Sequence, residues 1–427
     1  MAMHPGQGQK DQGLAPLPRR LRERVAGRTF ETVTRIAGLR PSLMPEHLLR
    51  QLRIIGASDE QVARILPRLR SLGDWPHAWE ADADACIARG DWHGAFAALY
   101  VAQRVLIAPT RLKERIYARA IDAYAHVEQP PLERLRVSNG VGDEIAGYLQ
   151  LPIGSSAAPQ PVVLMLPGVT GTKEELHPYA MPLLKRGLAV ARIDHPVYGE
   201  TTGLLDHHTV ANARHVIEHL REDPRIDGSQ IHVHGMSMGA HFALHAIRDL
   251  DIASVTLICP PFRPGLFAAR LPTLNLTALQ HMTGLTTVDE IVRFATELDL
   301  ELAAPTYTAP MRIFHGGRDR TVPCGDSLDL ARATGGPVAL TVYDRDHHNC
   351  LEHTDEMTAA ALEFIRDPYG VCERFTSIER IDAPATLQAT DHDAELVGAG
   401  IEPSRRRLRI PFTLPGSLRP KPIDERA

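Results

Sequence analysis

Apolar positions along the first third of the chain recur at the spacing of a helix. Phe96, Leu99 and Tyr100 follow that period, and so do Leu112, Ile116, Tyr117, Ala120 and Tyr124. Gly73, Pro76, Gly90, Asp91, Pro109 and Thr110 divide the region into several helices. At Gln129, Pro130 and Pro131 the pattern breaks, and beyond it the apolar period shortens to two. Leu135 and Val137, then Ile145 and Leu149, flank Asn139-Gly140, which predicts a β-hairpin. Short apolar runs follow at 162–166, 188–193, 231–234, 254–258, 311–314 and 338–342, alternating with helical patterns. Such alternation predicts an α/β architecture, a mostly parallel sheet with helices on both faces. The expected organisation is a disordered start (1–18), a helical domain (19–130), the sheet domain (131–370) and an irregular or disordered tail (371–427). A helical insertion at 261–309 is expected to act as a lid, and the helical domain is expected to wall the pocket with it.

The composition is that of an ordinary folded protein, 44% hydrophobic and 23% charged over 427 residues. A net charge of −5 gives no reason to expect nucleic acid or a membrane surface as partner. No apolar run approaches the roughly 18 residues of a membrane span, and the first 30 residues lack the apolar stretch of a signal peptide. The cysteines, Cys86, Cys259, Cys324, Cys350 and Cys372, are scattered and odd in number. Reduced thiols in a cytoplasmic protein are therefore expected. The arginines between Arg19 and Arg40 read as a solvated helix face.

One stretch carries a chemical signal. The apolar run at 231–234 leads into Gly235-Met236-Ser237-Met238-Gly239 and then into a helical pattern. A G-x-S-x-G between strand and helix sets the serine on a sharp turn with its hydroxyl exposed. A serine hydroxyl becomes a nucleophile only when a base takes its proton and a carboxylate orients that base. In α/β-hydrolases these partners follow the serine in the order acid, then histidine. Asp319 stands right after one apolar run, and His347 and His348 stand after the next. Counting from Tyr343, the reach favours His348, with His347 as the alternative. The glycine-rich loop Pro167-Gly168-Val169 follows the run at 162–166, and the N–H groups of Val169 and Met238 are the expected oxyanion donors. Gly168, Tyr198 and Glu200 are expected to touch substrate. Thr172 and Glu175 read as a helix-capping box. His195, His207, His208, His232 and His234 read as ordinary core or surface residues. No metal site is expected, because no carboxylate or cysteine stands at ligand spacing from them, and no Walker or dinucleotide motif calls for a cofactor.

These residues resemble a family. The segment Leu166 to Glu175, Leu-Pro-Gly-Val-Thr-Gly-Thr-Lys-Glu-Glu, is similar to the G-G-x-x-S-x-K-E-E segment of α/β-hydrolases related to the fermentation–respiration switch esterase. That group includes 2,6-dihydroxypseudooxynicotine hydrolase and fungal pigment polyketide-shortening hydrolases. The entry segments 133–137 and 147–152 fit it, as does a helical domain ahead of the sheet. His348-Asn349-Cys350 matches its H-x-C after the last strand. The resemblance spans roughly residues 75–366; Thr172 replaces a serine and Pro167 replaces a glycine. It implies an α/β-hydrolase fold with an N-terminal helical domain and a Ser237, Asp319, His348 triad. The expected substrate is a small molecule carrying an ester or activated carbonyl. Hydrolysis of a C–C bond in a β-diketone or polyketide-like compound, acyl transfer, and a binding protein without turnover are the alternatives. A homodimer is compatible with the sequence.

Overall fold

The computed structural model describes residues 46–127, 129–154, 158–374, 377–381 and 407–411. The expected disordered start, the arginines of 19–40 and most of the tail lie outside them.

Five helices open the described chain: α1 (Glu46–Ile55), α2 (Asp59–Ile65), α3 (Trp75–Ala88), α4 (Trp92–Arg104) and α5 (Arg111–Tyr124). Three of them start on side chains that satisfy orphan N–H groups. Ser58 Oγ accepts from the Gln61 N–H at 3.1 Å and the Gln61 side chain accepts from the Ser58 N–H at 3.0 Å, a complete capping box on α2. Asp91 accepts from the Gly94 N–H at 2.8 Å on α4, and Thr110 from the Lys113 N–H at 3.2 Å on α5. The helices close around Trp75, Trp79, Phe96, Tyr100 and Tyr124, all buried. Tyr148 of the sheet belongs to the same cluster, so the helical domain shares a core with the sheet edge.

The sheet runs in the order β1 (Glu133–Ser138), β2 (Glu144–Gln150), β4 (Ala189–Ile193), β3 (Gln160–Leu166), β5 (Ile226–Met236), β6 (Ser254–Ile258), β7 (Met311–Gly316), β8 (Val338–Tyr343), β9 (Ser377–Ile381) and β10 (Arg407–Pro411). From β4 to β9 every neighbouring pair is parallel. β1 and β2 form the predicted antiparallel hairpin. Its connection is longer than an Asn-Gly turn: the Asn139 side chain accepts from the N–H groups of Val141 at 3.1 Å and Asp143 at 3.0 Å.

The period of two along β3 sends alternate residues to opposite faces. Leu164 and Leu166 join the core with helices α7 (Asn212–Glu222) and α8 (Met238–Ile247). Val163 and Met165 face α6 (His177–Leu184) and α12 (Thr354–Arg366) on the other side. The insertion between β6 and β7 supplies α9 (Thr273–Thr283) and α10 (Val288–Glu297), and α11 (Cys324–Ala333) follows β7. Among the described residues no helix is long and apolar enough to cross a membrane.

The expectation of an irregular tail from 371 is corrected for its described residues. α13 (Pro368–Arg374) continues into it, β9 adds to β8 in parallel, and β10 pairs antiparallel at the sheet edge. Prolines had argued against structure there, but Pro411 stands on an edge strand, where a missing N–H is tolerated.

Trp79 is fully buried at the centre of the helical domain. Trp79→Ala is expected to cost about 3–5 kcal/mol of stability, read as a lowered urea midpoint. A change below about 1 kcal/mol would show that this core does not hold the protein together.

Candidate active site

The β5–α8 turn dictates the geometry of the site. Ser237 has φ 53° and ψ −121°, a conformation that side chains other than glycine rarely adopt. Its N–H donates to the Ile258 carbonyl at 2.7 Å, which ties the turn to the end of β6. Both glycines of the motif are forced by close approach. A Cβ on Gly239 would stand 2.2 Å from the Pro167 carbonyl oxygen, and one on Gly235 2.5 Å from Ala240 Cα. The start of α8 is therefore pressed against the end of β3.

Two later strand ends deliver the partners of the serine. Ser237 Oγ lies 2.8 Å from His348 Nε2, and His348 Nδ1 lies 2.6 Å from Asp319 Oδ2. Asp319 Oδ1 also accepts from the N–H groups of Thr321 at 2.7 Å and Val322 at 3.0 Å, which fixes the carboxylate after β7. Buried His315 Nε2 lies 3.4 Å from Asp319 Oδ2. Burial alone would push the Asp319 carboxyl up, but the His348 and His315 imidazoles outweigh it and hold the group well below the usual carboxylate range. Burial opposes the charged form of His348, yet the Asp319 carboxylate overrides that and raises the imidazole above its ordinary value.

The loop that carries His348 is clamped from inside. Asp346 is buried; its carboxylate accepts from the Glu352 N–H at 3.1 Å and from His353 Nδ1 at 2.9 Å, and His353 stacks on Tyr343 with centroids 3.9 Å apart. Asn349 and Cys350 both take left-handed backbone, with φ 67° and 50°. The Asn349 N–H points at Cys259 Sγ at 3.3 Å, and Cys259 Sγ lies 3.9 Å from Cys350 Sγ. The structure thus brings His348, and not its neighbour His347, onto Ser237. Cys259, Asp319 and His348 hold ligand-type atoms within 4.8 Å of one another, among the described residues the one group with the makings of a metal site. Both His348 nitrogens already have partners, so a metal there would displace the relay.

Gly168 faces the serine: a Cβ on it would lie 3.8 Å from Ser237 Cβ. Val169 follows it on the wall of the cavity that opens at Ser237 and Met238. Met238 opens α8, so its N–H has no intrahelical partner. His195 Nε2 supports this loop by donating to the Pro167 carbonyl at 2.7 Å.

A mostly apolar cavity opens at the serine. Phe267, Leu271, Leu279, Ile291, Phe294 and Leu298 of the insertion form much of its wall, and among the described residues no Asp, Glu, Lys or Arg lines it. His241, in its lining, is pushed down to about 3 by burial and so is neutral at physiological pH. The insertion lines the site, whereas among the described residues none before Val169 does, so the expectation that the helical domain walls the pocket is corrected for them.

Three further expectations are corrected. Tyr198 and Glu200 do not line the cavity. Tyr198 is buried with its hydroxyl donating to the Ile107 carbonyl at 3.1 Å. Glu200 pairs with Arg134 at 2.9 Å, Arg136 at 3.0 Å and Lys173 at 2.9 Å. Thr172 and Glu175 form no capping box, because α6 begins only at His177. Thr172 Oγ1 instead donates to Glu174 at 2.6 Å, and Glu175 accepts from Tyr100 and Arg104. Of the other histidines, His232 bonds Ser254 Oγ at 2.7 Å, His234 is buried against Tyr179, and His207 pairs with Glu297 at the surface. His208 stands before α7 in a turn where its N–H donates to Asp206.

Residues that sequence reasoning missed are His315, Cys259, Asp346 and His353. They are distant in sequence or carry no motif. The cavity wall did have a signal, since Ile291, Phe294, Ala295 and Leu298 recur at helical spacing.

A mostly parallel sheet, a serine on a strand-to-helix turn, and an acid and a histidine from the next strand ends define an α/β-hydrolase fold. Comparison with known proteins gives the same group as the Leu166 to Glu175 segment. Residues 107–252 match the family described as Esterase FrsA-like. The chain is 26% identical over 229 residues to Esterase FrsA of Klebsiella pneumoniae, covering 49% of this chain and 53% of that protein. It is 32% identical over 142 residues to 2,6-dihydropseudooxynicotine hydrolase of Paenarthrobacter nicotinovorans, covering 31% and 36%. The chain thus spans about half the length of the curated FrsA esterases it matches. Among solved structures, 2,6-dihydroxy-pseudo-oxynicotine hydrolase superposes with a TM-score of 0.62 at 21% identity, over 75% of this chain and 96% of that one. AbyA5 superposes with a TM-score of 0.64 at 18% identity, over 77% and 97%. At these identities the likeness establishes the fold.

The turn leaves no room for a side chain at 239. Gly239→Ala is expected to cost about 1–3 kcal/mol through overpacking against the end of β3, measured by urea unfolding. An unchanged midpoint would show that α8 can move away from β3 freely.

Proposed function

We propose that this chain is a serine hydrolase that cleaves esters of small, uncharged, largely apolar acyl groups. The observation that carries the reading is the Ser237–His348–Asp319 chain of contacts at 2.8 and 2.6 Å, opening on an apolar cavity. The esterase names of the matching family and curated relatives support the ester bond over other acyl derivatives.

In this reading Ser237 Oγ attacks the substrate carbonyl while His348 Nε2 takes its proton. Asp319 holds the Nδ1–H of the imidazole and stabilises the cation that forms. The N–H groups of Val169 and Met238 receive the oxyanion, aided by the start of α8. The tetrahedral adduct collapses, and His348 returns the proton to the leaving alcohol. Water, activated by the same histidine, then attacks the acyl-enzyme; the carboxylic acid departs and Ser237 regains its proton. The uncharged wall favours an acyl group without ionic groups, because a buried charge with no partner is costly. Five cysteines, none in a disulfide, go with a reducing compartment, and we place the enzyme in the cytoplasm.

A fluorophosphonate should label the protein but not Ser237→Ala, and p-nitrophenyl hexanoate turnover by that variant should fall by several orders of magnitude. Equal labelling of both proteins would remove Ser237 from the mechanism. Turnover of a 1,3-diketone in preference to the ester would shift the reading to C–C hydrolysis by the same groups.

The two histidines give a second test. His348→Ala is expected to lose roughly 10²-fold or more in kcat, and His347→Ala far less. The base must be neutral to act, and Asp319 raises its pKa. kcat/KM should therefore rise with pH through a value above 6.5 and level off beyond it. An acid limb centred below 6.5, or a dead His347→Ala beside an active His348→Ala, would contradict the assignment.

A further inference from the structure

We propose that the helical domain tunes catalysis by setting the loop that presents the Val169 N–H, through a buried polar seam centred on Lys173. The inference rests on the serine-hydrolase reading above.

The loop is anchored at both ends. At one end His195 Nε2 holds the Pro167 carbonyl at 2.7 Å. The Gly171 N–H then closes a turn onto the Gly168 carbonyl at 3.0 Å, with Val169 inside it. At the other end the anchors come from the helical domain. The Tyr100 hydroxyl on α4 accepts from the Thr172 N–H at 3.2 Å and donates to Glu175 Oε2 at 3.3 Å. Arg104, one turn on, reaches the same carboxylate oxygen at 3.2 Å. The Tyr117 hydroxyl on α5 donates to Glu174 Oε2 at 2.9 Å.

Lys173 joins these anchors to the sheet. Its ammonium is fully buried and lies 2.7 Å from Asp194, 3.0 Å from Glu174, 2.9 Å from Glu200 and 3.2 Å from the Tyr117 hydroxyl. Its backbone N–H donates to the second Asp194 oxygen at 2.7 Å. Arg134 and Arg136 add positive charge at Glu200, and the buried Arg192 guanidinium bonds the Lys173 carbonyl. So many buried charged groups in mutual contact admit few arrangements, because any shift strands a buried charge.

The seam has no part in forming the cavity, since none of its residues lines it. What it borders is the loop just beyond Val169. An oxyanion donor works only when it already points where charge will develop, within about half an ångström. The helical domain would then act on the transition state and leave ground-state binding in the apolar cavity alone. Tyr100, Tyr117 and Lys173 are positioning residues in this scheme.

The test uses the full chain with Tyr100→Phe, Tyr117→Phe and the double variant. Each keeps its ring in the core and loses only a hydroxyl. With p-nitrophenyl hexanoate, kcat should fall roughly tenfold in each single variant, well short of the 10²–10³ for removing a donor outright, and KM should stay within about twofold. The inhibition constant of n-hexylboronic acid, which forms a tetrahedral adduct with the serine, should rise by the factor that kcat/KM falls. Glue between domains would lower stability without that proportionality. A raised KM at unchanged kcat, or a double variant with wild-type kinetics, overturns the proposal. Ser237→Ala, run alongside, separates the two readings. If it still turns over the ester at the wild-type rate, the hydrolase reading falls and this inference with it. If it is inactive while the tyrosine variants match wild type, this inference alone falls.

Discussion

Ser237 is held in left-handed backbone between β5 and α8, and the surrounding structure must supply what that conformation costs, of order 1–3 kcal/mol. The compensation is visible. The Ser237 N–H bonds the end of β6, and α8 is drawn onto the end of β3 at a distance only glycine permits. Three neighbours share the condition: Cys259, Asn349 and Cys350 also have positive φ, and all lie beside His348. Strained backbone thus collects where β5, β6 and β8 deliver their ends. The parallel sheet makes this possible, because its register brings these ends to one edge.

Two buried polar centres support the site, and each is met by several partners. Asp319 is shared between His348, His315 and two backbone N–H groups. Lys173 is shared among three carboxylates, and two arginines add positive charge at Glu200. Among the described residues the cavity wall carries no Asp, Glu, Lys or Arg. Charge is placed where it aligns groups and kept away from where an acyl chain would lie. Breaking a buried pair by removing one partner costs about 3–5 kcal/mol, so such centres act as rigid references for the loops around them.

The division of labour between the two helical parts was not what their order in the chain suggested. The insertion at 261–309 lines the cavity, while the N-terminal helices reach the site from behind, through hydroxyls and a guanidinium on the segment 172–175. Tyr148 of β2 packs into the helical core, so the helical domain and the sheet edge share apolar contacts.

Local pattern determined much of this protein. The alternating period placed the hairpin and the strands from β3 to β8 within a few residues, and the helical period marked α4 and α5, because burial on one face imposes its period on the sequence. The tight turn made Ser237 legible, since the chemistry of that conformation demands its glycines. The strand-end positions made Asp319 and His348 legible. What escaped was decided by which side chains the folded loops bring face to face. Asp346 with His353, Cys259 beside His348, and His315 beside Asp319 are pairings that no spacing announces. The tail strands β9 and β10 depend on an open sheet edge, which a proline-rich sequence gives no reason to expect. Thr172 and Glu175 fit a helix cap as a string of letters, but Tyr100 and Arg104 reached them first. Glu200 stood at a strand end, where substrate contacts are common, yet the charge of Lys173 drew it into the seam and away from the cavity. Periodicity follows from which face is buried; which polar group meets which is settled only when the chain has closed on itself and each buried charge has found its partner.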